Sequence, residues 1–139
     1  MTDAKPPGSK ASLHPFLREM LTTLPNPGEE YDYVATLEGP IGTLQDSAVT
    51  LSLRYIPDRL VVDSESFMGY ARKMASGQWP NLEALAVAII NDFNNELVPR
   101  WVRLGLAGQA GGEVFHLATI EDRQPHWKND DLLRSLKRY

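Results

Sequence analysis

The residues in this sequence with chemistry to offer are carboxylates and hydroxyls. The 139 residues contain no cysteine, so thiolate nucleophiles, thiolate zinc sites and disulfides are excluded. The three histidines, His14, His116 and His126, stand far apart, with no second histidine or paired acid at metal-ligand spacing, and no metal site is expected. His116 lies in VFHLA, where strand alternation groups it with Val114 and Ala118. Its neighbours along that strand include no carboxylate, so it reads as a structural histidine. The acids of interest open two predicted helices: Asp63, Ser64, Glu65 and Ser66 in VVDSESFMGYARK (61–73), and Glu83 in the next one. Such groups cap exposed backbone N–H groups or suit the helix macrodipole. Set in a cleft, they can instead bind N–H donors or carry protons.

A chain of this length buries roughly 70% of its unfolded surface as one domain. Its hydrophobic share of 42% supports a real core. A net charge of -4 gives no basic field for phosphate backbones, so nucleic acid is not an expected partner. No apolar run reaches 18 residues and no leader pattern is seen, which predicts a cytoplasmic protein with no membrane partner.

The elements that must position these residues follow from periodicity. Residues 1–12, with Pro6, Pro7, Gly8 and Ser9 and little to bury, read as a flexible arm. Leu13, Phe16, Leu17, Met20 and Leu21 predict a short amphipathic helix up to Leu24, and Tyr31 to Leu37 a strand, with a linker from Glu38 to Ser47. Residues 48–56, AVTLSLRYI, alternate as a half-buried strand. Phe67, Tyr70, Ala71 and Met74 predict a helix over 64–76 capped by Asp63 or Ser64. Asn81 caps a second helix whose apolar face runs from Leu82 to Leu97. Runs at 99–107 and 112–120 predict a hairpin joined through Gly108 to Gly111, which is turn chemistry rather than a phosphate loop. A polar tail occupies 121–139, leaving 13–120 as the domain. The order ββααββ implies an α+β fold, a four-stranded antiparallel sheet with two helices on one face. Its open edges suggest assembly edge to edge into an oligomeric barrel.

That order, with the strings LTTLPN, LSLRYIPD, VDSES and IINDF, resembles the 7-cyano-7-deazaguanine reductases of queuosine biosynthesis. These are tunnelling-fold enzymes, and the likeness runs from about Leu21 to Gly111. The family reduces a nitrile with NADPH through a covalent thioimide on a cysteine, helped by an aspartate. On the resemblance, the cysteine falls at or near Pro40 and the aspartate at Ser47, with Asp46 beside it. Two lysines that hold NADPH fall at Glu65 and Met68, so no cofactor is expected. The glutamate that anchors a purine or pterin edge falls at Glu83, and the histidine before it at Leu82.

The resemblance therefore implies a heterocycle site with Glu83 as anchor. Ser64 and Ser66 are further contacts, and Trp79 is placed to cover a ring. Cysteine-dependent nitrile reduction is not expected. Two alternatives stand beside this reading. One is a cofactor-independent acid-base enzyme with Asp46, Asp63 or Glu65 as proton carriers, and the other a non-catalytic assembly subunit. The expected partners are a small heterocycle and further copies of the chain.

Overall fold

The computed structural model describes residues 17–110 and 114–136. Four long strands form one antiparallel sheet: β2 (Ala35–Leu44), β3 (Ser47–Ile56), β5 (Trp101–Ala110) and β6 (Val114–Arg123), in the order β2-β3-β5-β6. Two short strands, β1 (Thr23–Pro25) and β4 (Leu60–Val62), pair beside it. Helices α1 (Ser64–Ala75) and α2 (Leu82–Leu97) follow β4, and α3 (Asp130–Ser135) ends the described chain. The predicted α+β architecture is present, with α1 and α2 on one sheet face.

Strand β3 shows why the layer closes. Val49, Leu51, Leu53 and Tyr55 face the helices and are buried. Their partners across the sheet continue the rows: Leu51 beside Leu106 and Ala118, Leu53 beside Leu104 and Ile120. Phe67, Tyr70 and Ala71 of α1 and Leu85, Ile89 and Phe93 of α2 are fully buried against this surface. Each large apolar side chain so buried contributes about 1.5–3 kcal/mol. Phe93 packs edge-on against Tyr55 at 4.9 Å and Phe67 at 5.9 Å. The Tyr70 hydroxyl donates to the buried Asp92 carboxylate and links α1 to α2. Burial first, and then Asp92, push that phenol far above its ordinary range.

Several boundaries differ from the sequence reading. Residues 13–16 of the expected first helix lie outside the described residues, as do the predicted arm and Gly111. Leu17 is helical and a 3-10 turn follows at Arg18–Met20, after which the chain leaves the helix for strand β1. Pro25 holds Leu24 extended, and pairing with Leu60–Val62 decides the outcome. The expected linker 38–47 is mostly strand: β2 runs to Leu44, with a bulge between Pro40 and Gly42. Gly42 absorbs it at φ 127°, and Gln45 and Asp46 turn the chain at φ 52° and 68°. Gly108 and Gln109 belong to β5 rather than to a turn, and β6 continues through Arg123.

The far end of the sheet is buttressed by Arg100. Its guanidinium donates to the Glu29 and Tyr31 carbonyls and to Asp32, and it pairs with Asp58 at 3.3 Å. Asp32 also accepts from Trp127 and Asn129, and Asp58 accepts from Gln124. Burial alone would raise the Asp32 carboxyl, but bonds from Asn129, Arg100 and Trp127 hold it below the ordinary carboxylate range.

Candidate functional site

At the other end of the sheet, three elements meet around a cavity of about 80 Å³ lined by Leu44, Ser47, Val49, Leu82, Gly108 and His116, with Gln45 and Asn81 at its rim. The sheet row Val49, Gly108, His116 forms its floor. Gly108 helps make the space, because a Cβ there would meet only ordinary contacts, Ala48 O at 3.7 Å and Val49 Cγ2 at 3.9 Å. Helix α2 begins over this floor. Asn81 Oδ1 accepts from Ala84 N at 2.8 Å and caps it, and Gln45 Nε2 donates to Pro80 O at 3.1 Å, fastening the β2–β3 turn to the helix start.

Because Asn81 does the capping, Glu83 is left to turn toward β6. Its Oε2 lies 2.9 Å from His116 Nε2. That contact first, and the residue's own backbone N–H second, hold the Glu83 carboxyl below the ordinary range although the side chain is exposed. The pairing corrects the reading of His116 as a structural histidine without a carboxylate partner. Alternation had grouped His116 with Val114 and Ala118, but its carboxylate comes from α2 across the layer, not from β6 itself.

The other predicted residues are elsewhere. Ser64 and Glu65 line a second groove, of about 500 Å³, with Leu37, Glu38, Met68 and Arg72 between β2 and α1. Asp63 caps α1, its Oδ2 accepting from Ser66 N at 2.9 Å. The Ser66 hydroxyl donates to Asp63 O and accepts from Thr22 N at 3.0 Å, so it ties α1 to the segment before β1. Asp46 is exposed at the β2–β3 turn. The Trp79 indole donates to Met74 O at 2.6 Å and packs on the core at the end of α1. Thus Glu83 meets His116 beside the cavity that Ser47 and Leu82 also line, while Ser64 and Glu65 form a separate place. Among the described residues no cluster of His, Asp and Glu suited to a metal ion is found, and no helix is long and apolar enough to cross a membrane.

Comparison with known proteins gives this geometry a family. An NADPH-dependent 7-cyano-7-deazaguanine reductase of Nitrosospira multiformis is 32% identical over 113 residues, covering 77% of this chain and 81% of the relative. The chain belongs to the 7-cyano-7-deazaguanine reductase family. The reductase of Acidithiobacillus ferrooxidans is 30% identical over 117 residues, covering 80% and 82% of the two chains. That of Nitrosococcus oceani is 29% identical over 120 residues, 92% of its length. No family model matches the chain. Among solved structures, the apo archaeosine synthase QueF-like aligns with a TM-score of 0.54 over 64% of this chain and 92% of that one, at 21% identity. This supports the tunnelling fold and, at that identity, the fold alone.

Proposed function

We propose that this member of the reductase family binds a purine-, 7-deazapurine- or pterin-like heterocycle at the Glu83 corner and does not reduce nitriles with NADPH. The observation that carries the reading is Glu83, held by His116 beside a cavity. The acceptor oxygens of a carboxylate there serve the N–H groups that such rings carry, directly or through the histidine it holds.

The second half of the proposal rests on chemistry that is missing. There is no cysteine in these 139 residues to form a thioimide, and the position matched to it holds Pro40, exposed on β2. The groove where the family's lysines would hold NADPH presents Glu65 and Glu38 beside Met68, with Arg72 as its one cation among the lining residues. A carboxylate near a phosphate repels it by ~1–4 kcal/mol at short range before screening. We place the working form in an oligomer. Strands β2 and β6 are sheet edges, and β6 exposes Val114, Phe115 and Leu117 at 59–67%, an apolar edge that a second copy would cover.

The test is thermal stability against 7-cyano-7-deazaguanine, guanine, urate and pterins. A ligand at 100 times its Kd adds about 2.7 kcal/mol and raises the midpoint by several degrees. The expected result is a shift with at least one ring that Glu83→Ala abolishes. Turnover of 7-cyano-7-deazaguanine with NADPH consumption would overturn the proposal, and so would the absence of any shift.

A further inference from the structure

His116 stands between the cavity and Glu83. The imidazole lines the cavity, whereas the carboxylate meets Nε2 from outside the lining. An ionised carboxylate only accepts, so the 2.9 Å contact places the proton on Nε2, and in the neutral ring Nδ1 is then the lone pair. This is the logic by which a carboxylate fixes the tautomer of a histidine that does chemistry. As a surface ion pair alone, with side chains 41% and 61% exposed, the contact would contribute little to stability.

The other polar groups of the cavity narrow what a ligand there would meet. Gln45 Nε2 is committed to Pro80 O and Asn81 Oδ1 to Ala84 N. Ser47 is only 9% exposed, lines the same cavity from β3, and its hydroxyl makes no hydrogen bond among the described residues. A buried hydroxyl without a partner costs about 1–3 kcal/mol unless something satisfies it.

We propose that His116 and Ser47 together read the lactam edge of the ring, with Nδ1 accepting its N–H and the Ser47 hydroxyl donating to its C=O, while Glu83 acts through His116. This rests on the heterocycle reading above and names the part of the ring recognised. It makes Glu83 a positioning residue and His116 and Ser47 the direct contacts. Guanine, 7-cyano-7-deazaguanine, urate and pterins all carry such an edge, and adenine does not. Adenine is therefore the analogue the site rejects.

The experiment uses the full chain in two measurements. First, ring nitrogen shifts of His116 in the free protein report its tautomer. The Nε2–H form is expected in the wild type and in Glu83→Gln, whose amide oxygen still accepts, and a mixed population in Glu83→Ala. A mixed population already in the wild type would overturn the inference.

Second, calorimetric titration with 7-cyano-7-deazaguanine, guanine and adenine reads the contacts. Expected losses in affinity for the better binder are about tenfold or more for His116→Phe and about fivefold to tenfold for Ser47→Ala, against only a few-fold for Glu83→Gln. A loss of thirtyfold or more for Glu83→Gln with His116→Phe unchanged would make Glu83 the direct contact, overturning this inference and leaving the heterocycle reading intact. Adenine binding as well as guanine would also overturn it. If neither 7-cyano-7-deazaguanine nor guanine binds the wild type, the heterocycle reading falls and this one with it.

Discussion

The two helix starts carry similar acids in different employment. At α1, Asp63 caps the helix and Ser66 ties it to Thr22, so the acid-rich opening is consumed by local structure. At α2, a neutral Asn81 caps, and Glu83 is released to pair with His116 on β6. An acid in a first turn is thus informative about function only once the capping residue has been identified.

The sharpest way to break this comparison is at the caps. Asp63→Ala removes the α1 cap and is expected to cost about 1–2 kcal/mol. That lowers the melting midpoint by roughly 3–6 °C, while ring binding stays intact. Ser66→Ala should follow at about 1 kcal/mol, since it loses the hydroxyl that bridges α1 to Thr22. If either variant lost ligand binding at full stability, the structural reading of α1 would fail.

A smaller change tests the cavity. Gly108→Ala meets no closer contact than 3.7 Å and removes a flexible residue from a strand, so stability should rise by about 0.4–1 kcal/mol. The added methyl group occupies the cavity floor, and affinity for the ring should fall in the same variant. Unchanged affinity would place the ligand elsewhere.

The smallest effect is electrostatic. The Glu83 carboxyl lies below its ordinary value because of His116, so the stabilisation it contributes is present above the unfolded-state value and is lost as pH falls through the lower folded one. A carbon-detected titration should place the Glu83 midpoint below that of a free glutamate and move it upward in His116→Phe. An ordinary midpoint in the wild type would remove the pair.

Strand β3 and both long helices were legible because their burial periods are uninterrupted, from Val49 to Tyr55 and from Leu82 to Leu97. Strand β2 was misjudged because Gly39, Pro40 and Gly42 are strand breakers in isolation; on an edge strand with a bulge they are tolerated. The expected first helix ends early, after Leu17 and the turn at Arg18–Met20, because Thr23 and Leu24 join β1, a tertiary pairing with β4 that no local pattern announces. At the site, Glu83 was found through a family likeness. His116 was missed because its partner was sought only along β6. Layered folds bring together residues 33 positions apart, and the second layer has to be placed before such a pair can be seen.

Arg100 gives the sheet a stiff end and a loose one. Its bonds gather the segment 29–32, Asp58 and, through Asp32 and Asp58, the residues from Gln124 to Asn129 around the row Ile56, Trp101, Arg123. The cavity lies seven residues away along β3, about 20 Å, where no comparable clamp is found among the described residues. Amide hydrogens around Ser47, Gly108 and His116 should therefore exchange with solvent sooner than those around Ile56 and Trp101, because local opening begins where the fewest bonds must break. A ring held at the loose end would then be recorded twice, as occupancy of the cavity and as a slowing of exchange in strands it does not touch.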